Sequence, residues 1–165
     1  MKIRAMTKYD RPIVQEIIHS AGVFTAEEGK IADELVDTYL SQPDEPRDYE
    51  VEVVENNTGT VAGFICYGPT SLTEGAMDIY WLAVHAGSQR QGFGKALLGW
   101  LEKTAAARKT RLIVIETSSS APYSATRLFY ERMGYVEQAR IPHFYRPGDD
   151  RVIYVKYFPV QGFMP

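Results

Sequence analysis

The chain has 165 residues and a formal net charge of −3, with 45% hydrophobic and 24% charged residues, the proportions of an ordinary globular protein with one domain. A slightly acidic chain lacks the basic face that nucleic-acid binding usually requires, so we expect no nucleic-acid partner. No apolar run approaches the roughly 20 residues of a membrane span, and the first residues lack the apolar core of a signal peptide. We therefore expect no membrane association and a cytoplasmic location.

The first half of the chain predicts two helices and an antiparallel pair of strands. The predicted elements are a strand at 3–5, a helix with apolar residues from Ile13 to Ile18, a helix from Thr25 to Leu40, and strands at 49–55 and 60–67. Thr25 and Glu28 have the spacing of a capping box. The apolar positions of the second helix are Ile31, Leu35, Val36 and Tyr39. The only cysteine, Cys66, lies in an apolar run, where burial as a structural residue is expected rather than a role as nucleophile.

The stretch from Asp78 to Thr117 predicts a strand, a turn, a helix and a second strand. The two predicted strands, 78–85 and 112–116, are short apolar runs. Between them, one apolar stripe recurs at helical spacing and consists of Phe93, Ala96, Leu97, Trp100, Leu101 and Ala105. If the two strands are parallel, they form a right-handed crossover unit.

The last part of the chain predicts one helix and a closing hairpin. The apolar face of the helix is predicted to contain Ala125, Leu128, Phe129 and Met133, with Gly134 as its C-cap. A strand is predicted at 135–139, a turn at 146–150 and a final strand at 152–158, followed by a loosely held tail at 159–165. The chain as a whole is predicted to be α/β, with a single domain at 1–158 in which helices flank a central mixed β-sheet.

The turn that precedes the central helix has the chemistry of an anion site. Gly92 and Gly94 have no β-carbons, so a ligand can approach the backbone closely. The first amides of the helix have no partners within it and carry the positive end of its dipole. Such positions bind phosphates, and Arg90 and Lys95 add positive charge.

Three known phosphate-binding patterns can be compared with this turn. A P-loop would require lysine where the chain has Phe93. A dinucleotide fingerprint would require a third glycine where the chain has Leu97, although Glu116 lies at about the right distance to hold a ribose. The third pattern fits best, because residues 89–94, Gln-Arg-Gln-Gly-Phe-Gly, resemble the Gln/Arg-x-x-Gly-x-Gly/Ala signature of the GNAT superfamily of acetyltransferases. In that family the loop holds the pyrophosphate of acetyl-coenzyme A.

A second motif extends the resemblance from about Ile3 to Phe158. The stretch from Tyr123 to Tyr135 resembles the family's Asn-x-x-Ala-x-x-Leu-Tyr-x-x-x-Gly-Phe segment, and the order of the predicted elements resembles the GNAT fold. The chain departs from the motif at Tyr123, which replaces the asparagine, and at Thr126, which replaces the alanine. In the family the asparagine contacts pantetheine, and whether Tyr123 makes these contacts in its place is therefore left open.

The resemblance implies acetyl-coenzyme A as the cosubstrate and assigns the residues that would hold it. Main-chain groups of Leu82, Ala83 and Val84 would hold the pantetheine arm, near a splay between the two central strands. The pyrophosphate loop would consist of Gln89, Arg90, Gln91, Gly92, Phe93, Gly94 and Lys95, acting mainly through backbone amides. Tyr123 and Thr126 would lie beside the same ligand.

The resemblance also suggests two catalytic residues. Tyr130 corresponds to the tyrosine that faces the coenzyme A sulfur; with a pKa of about 10, against about 8.5 for a thiol, it can protonate the departing thiolate, unless its ring simply packs. Asp78 aligns with a glutamate that serves as general base in one branch of the family, unless it merely caps its strand. Glu116 is a further candidate base, and His143 a further candidate participant. No spacing of ligand side chains suggests a metal site.

These observations together predict an N-acetyltransferase that moves an acetyl group from acetyl-coenzyme A to a primary amine by direct attack in a ternary complex. The helical segment from Gly22 to Asp48 is expected to be a lid over the acceptor site. The amine could belong to a small molecule, a peptide N-terminus or a lysine side chain, and a homodimer is left open. Two other functions remain: a non-catalytic acyl-coenzyme A sensor, suggested by the lost asparagine, and a dinucleotide-binding oxidoreductase, suggested by Glu116.

Overall fold

The computed structural model describes residues 1–41 and 48–159. The predicted loop at Pro43 and Pro46, and the predicted tail after Pro159, lie outside the described residues. The strands are β1 (Lys2–Ala5), β2 (Glu50–Glu55), β3 (Val61–Pro69), β4 (Ala76–Val84), β5 (Leu112–Ser118), β6 (Val136–Arg146) and β7 (Asp149–Tyr157). The helices are α1 (Arg11–Ser20), α2 (Ala26–Ser41), α3 (Phe93–Ala107) and α4 (Ser124–Arg132).

Seven strands form a mixed sheet in the order β1-β2-β3-β4-β5-β7-β6, which confirms the predicted α/β class. β4 is parallel to β5, as the predicted crossover unit requires, and their pairing runs from Ala76 opposite Leu112 to Ile79 opposite Ile115. The pairs β1–β2, β2–β3, β5–β7 and β6–β7 are antiparallel. The chain divides into two compact units, the first formed by Met1–Gly68 and Tyr80–Lys103, the second by Pro69–Ile79 and Thr104–Pro165.

In the first unit, α2 begins directly after Thr25, where the sequence predicts. The amide of Thr25 donates to the Glu28 carboxylate at 2.7 Å, and the Thr25 hydroxyl accepts from the Glu28 amide at 3.2 Å, so the predicted capping box is present. One prediction for α2 is wrong, because Ile31 is 57% exposed. The buried face consists instead of Gly29, Ala32, Val36 and Tyr39. Cys66 is fully buried in the core of this unit, and burial raises the pKa of its thiol.

In the second unit, the buried face of α4 differs from the predicted one. Ala125 is exposed, and Leu128 is 50% exposed, whereas Tyr130 is the buried residue of this helix. The reason is that aromatic residues beyond α4 provide the contacts, and helical periodicity does not reveal them. Gly134 has φ +84°, as its predicted role as C-cap requires. β6 also continues seven residues beyond the predicted end at Ala139, to Arg146.

Candidate functional site

The predicted phosphate turn leaves a row of backbone amides free. φ is +61° at Arg90 and +89° at Gly92, in the left-handed region, and the Ala96 amide donates to the Gly92 carbonyl at 2.9 Å as α3 begins. Within residues 1–41 and 48–159, no protein group accepts a hydrogen bond from the amides of residues 90–95. These consecutive N–H groups, at the positive end of a 15-residue helix, form a place where an anion can bind.

The side chains of the two glutamines of the turn fix its position and its shape. The Gln89 side-chain amide donates to the carbonyls of Ala21 at 3.3 Å and Val84 at 3.4 Å. The Gln91 side-chain amide donates to the carbonyl of Gly87 at 3.0 Å. Their side chains therefore stabilise the shape of the loop, and contact with a ligand is left to the backbone and to the exposed side chains of the loop.

His85 orients the start of the same turn. Its Nδ1 accepts from the amide of Gly87 at 3.1 Å, and its Nε2 lies 3.1 Å from the carboxylate of Glu16. The ring therefore links α1 to the turn, a structural role that leaves no nitrogen for chemistry. Phe93, in contrast, is buried and anchors the first turn of α3 in the core.

The last residues of β4 direct their main-chain groups alternately to the two edges of the strand. The His85 amide donates to the Ala62 carbonyl of β3 at 2.9 Å. Because successive residues of a strand direct their main-chain groups to opposite edges, Ala83 faces β3 as His85 does, whereas Leu82 and Val84 face away from it. Of the three predicted pantetheine contacts, Leu82 and Val84 are thus the ones directed away from β3.

In the second unit, Tyr130 lies in an aromatic cluster. Its ring centroid is 5.4 Å from that of Phe129, 6.1 Å from Tyr135 and 6.2 Å from Tyr154, and the residue is only 5% exposed. Burial raises the pKa of the Tyr130 phenol above its ordinary value. The hydroxyl is therefore a neutral proton donor throughout the physiological pH range.

Asp78 of β4 is partly buried beside a second carboxylate. Burial raises the pKa of Asp78, the hydroxyl of Thr70 acts in the opposite direction, and the negative charge of Glu116 raises it further. Glu116 itself accepts a hydrogen bond from the guanidinium of Arg151. Since Glu116 is engaged by this arginine, Asp78 is the better placed of the two to accept a proton, and Glu116 is a poor partner for a ribose.

The remaining predicted residues also belong to the second unit. Tyr123 ends a 3-10 turn immediately before α4, Thr126 lies in the first turn of that helix, and both are partly buried. Nδ1 of His143 accepts from the amide of Gly148 at 2.8 Å, so its ring is used within the β6–β7 hairpin. In the described part of the chain, no group of three or more potential ligands could hold a metal ion. None of the described helices is both long and apolar enough to cross a membrane.

Two arginines that shape the second unit carried no signal in the sequence. Arg127 donates to the carbonyls of Ser118 at 2.6 Å and Ser120 at 3.0 Å, and so holds the loop after β5. Arg151 is 35 positions from its partner Glu116. The pairing of β5 with β7 brings these two together, and nothing in the local pattern of either strand indicates it.

The comparison with protein families matches residues 47–137 to the acetyltransferase (GNAT) domain. This segment contains the phosphate turn, Asp78 and Tyr130. It includes residues of both compact units. The comparison with curated proteins gives no match.

Several solved structures are similar over nearly the whole chain. A Desulfovibrio desulfuricans protein assigned to the GNAT family of acetyltransferases is 38% identical with a TM-score of 0.86, over 94% of this chain and 98% of that one. The ribosomal-protein-S18-alanine N-acetyltransferase of Escherichia coli is 20% identical with a TM-score of 0.73, over 99% and 98% of the two chains. The yncA protein of Salmonella typhimurium, solved with acetyl-coenzyme A, is 20% identical with a TM-score of 0.73, over 100% and 98%. The last two show a shared fold.

Proposed function

Because the chain belongs to the GNAT family of acetyltransferases, we propose that it transfers an acetyl group from acetyl-coenzyme A to a primary amine by direct attack in a ternary complex. The observation that carries this proposal is the row of backbone amides from Arg90 to Lys95 that have no acceptor among the described residues. A similar structure contains acetyl-coenzyme A, which supports a cosubstrate of this kind.

The phosphate turn suits the diphosphate of such a cosubstrate. Its amides point from a fixed backbone, because Arg90 and Gly92 hold left-handed conformations and the two glutamines brace the loop. Fixed donors lose little freedom when an anion binds. The side chains of Arg90 and Lys95 add charge, and the main chain of Leu82 and Val84 would hold the pantetheine arm.

Acetyl-coenzyme A would supply the acetyl group as a thioester, and the chain's own residues would move the protons. The amine nitrogen bonds to the acetyl carbon while the carbon–sulfur bond breaks. Of the two protons that an ammonium loses, one goes to Asp78, directly or through a water, and then to solvent. The other replaces the proton that Tyr130 gives to the departing thiolate. Cys66 is buried in the core of its unit, which favours direct transfer over a covalent acyl-enzyme.

The remaining parts of the proposal concern the setting of the enzyme. We propose that residues 1–158 act as one catalytic domain, because the family match includes residues of both compact units. Tyr123 would replace the family asparagine beside the pantetheine, together with Thr126. A cytoplasmic location fits a chain whose one cysteine is buried and free.

Two measurements on the full chain test this function. Calorimetry with coenzyme A, acetyl-coenzyme A and NAD is expected to show binding of the first two and not of the third. Thiol release with a panel of small amines, peptides and lysine derivatives is expected to show turnover. Tight coenzyme A binding without turnover on any amine would favour the sensor instead, and binding of NAD alone would favour an oxidoreductase.

A further inference from the structure

One face of the sheet in the second unit carries a continuous row of functional side chains. Asp78 of β4 lies opposite Val114 of β5, and Glu116 shares the face of Val114, because side chains two apart on a strand point the same way. Glu116 accepts a hydrogen bond from Arg151 of β7. The row thus runs from the candidate base, Asp78, across two neighbouring strands to the β6–β7 hairpin.

The far end of the row is aromatic and exposed. The guanidinium carbon of Arg151 lies 4.9 Å from the centroid of the Phe144 ring, a cation–π contact. Phe144 packs edge-on against Tyr145, with centroids 5.0 Å apart and an interplanar angle of 88°. The two residues are 48% and 49% exposed. Two large rings therefore present apolar surface to solvent at one end of the row that begins at Asp78.

The hairpin holds these rings in a defined position. The Asp150 carboxylate accepts from the amide of His143 at 3.0 Å and from the guanidinium of Arg140 at 3.1 Å. His143 has φ +57°, and its ring accepts from the amide of Gly148 at 2.8 Å. Because these bonds order the hairpin in advance, a ligand that packs on the rings loses little free energy to ordering them.

The charges of the row fit an acceptor with a single ammonium. Arg151 neutralises Glu116, which leaves Asp78 as the carboxylate of the row with no cation bound to it among the described residues. A polycationic acceptor would find one uncompensated carboxylate and an arginine. A monoamine with an apolar or aromatic group some distance from its nitrogen would match both ends of the row, with its ammonium at Asp78 and its apolar group on the aromatic rings.

The length of the row indicates how far apart those two groups are. β4 and β7 are separated by two strand spacings of about 4.8 Å each. Arg151 lies opposite Ser118, four residues beyond Val114 on β5, or about 13 Å along the strand at about 3.3 Å per residue. The diagonal from Asp78 to Arg151, whose side chain contacts the Phe144 ring, is therefore about 16 Å, which four or five extended residues span.

From this geometry, and resting on the proposed acetyl transfer, we propose that the acceptor is the N-terminal amine of an extended polypeptide. Its first residue lies at Asp78, and an apolar or aromatic side chain at the fourth or fifth position packs on Phe144 and Tyr145. The chemistry of the amine favours an N-terminus over a lysine. An α-amine has a pKa of about 7.7–8.0, against about 10.4 for lysine, so a few hundred times more of it is neutral at pH 7. A carboxylate base then has to remove a proton from a smaller share of the amine molecules.

A register scan tests the proposal. Pentapeptides that begin with alanine and carry one phenylalanine among glycines, placed in turn at positions two to five, are compared as acceptors by thiol release and mass spectrometry. We expect the highest kcat/KM with phenylalanine at position four or five. A rate that does not depend on its position, or a preference for kanamycin, 2-phenylethylamine or an N-blocked peptide with an internal lysine, would overturn the proposal while leaving acetyl transfer intact. No transfer to any amine would overturn both.

Variants locate the contact. Phe144→Ala is expected to raise KM about tenfold for the best phenylalanine peptide, with kcat changed less than twofold and no effect on pentaglycine, as expected for the loss of one aromatic contact. Tyr9→Ala removes a more exposed ring in the first unit, since Tyr9 is 82% exposed, and is expected to change neither value. If Phe144→Ala raised KM equally for the phenylalanine peptide and for pentaglycine, the ring would have a structural role and the proposed contact would be overturned.

Discussion

Replacing Gly92 by alanine separates the phosphate turn's chemistry from its contribution to stability. Gly92 has φ +89°, a conformation that costs an L-residue about 1–2 kcal/mol. Apart from its two neighbours in the chain, the nearest atom that a β-carbon at this position would meet is the Met1 methyl, at 4.0 Å. Both residues line a cleft of about 570 Å³, so the methyl group has room. The substitution therefore introduces backbone strain without a clash.

The strain predicts the size of the effect on ligand binding. In the free protein, the loop can relieve the strain by rotating residue 92 and turning neighbouring amides away. Binding of the diphosphate would require the left-handed conformation again, at a cost of up to about 1–2 kcal/mol, which weakens coenzyme A binding about five- to thirtyfold. Any part of the strain that the free loop does not relieve lowers the unfolding midpoint instead, by about 2–4 °C per kcal/mol for a chain of this size.

Gly59→Ala provides the matched control. Gly59 lies in the turn between β2 and β3 of the same unit, has φ +82°, and a β-carbon there would meet nothing within 4 Å. The variant has the same kind of backbone strain, up to about 1–2 kcal/mol, and should keep its affinity for coenzyme A, measured by calorimetry. If Gly92→Ala bound coenzyme A as tightly as the wild type, or if both variants lost affinity equally, the amides of this turn would not be the diphosphate site.

Three further substitutions test the proposed chemistry. Tyr130→Phe is expected to lower kcat about a hundredfold or more while coenzyme A affinity stays within twofold, because the ring remains in its aromatic cluster; unchanged kcat would remove Tyr130 from its role. Asp78→Asn is expected to lower kcat/KM at pH 7 without lowering the urea midpoint. Burial and the charge of Glu116 raise the pKa of Asp78, so the ionised carboxylate lowers the stability of the wild type at pH values above that pKa. The difference in urea midpoint between Asp78→Asn and the wild type should therefore shrink as the pH falls through that pKa. A variant that is less stable than the wild type would contradict this. Cys66→Ala is expected to lower the free energy of unfolding by about 1 kcal/mol and leave turnover within twofold, whereas loss of turnover would point to an acyl-enzyme.

Predictions that depend on neighbouring residues agree with the structure. The capping box of Thr25 and Glu28 and the left-handed Gly134 are local devices, with all partners within a few positions of each other. Predictions about which helical residues are buried were less secure, as Ile31 and Leu128 show. Both residues belong to apolar patterns, but burial depends on what packs against the helix. In α4, Tyr135 and Tyr154 pack against Tyr130, and Leu128 stays exposed.

By itself, the sequence determined the order of strands and helices, the glycine-containing turn at Gly92 and its resemblance to a known acetyltransferase signature. These features are encoded in periodicity and in backbone preferences, which short stretches of chain carry alone. Only the tertiary structure decided that Arg151 engages Glu116 and supports Phe144, and that Tyr130 is buried among other rings. Such contacts depend on strand register and packing between distant segments, and a single sequence contains no local pattern that specifies them.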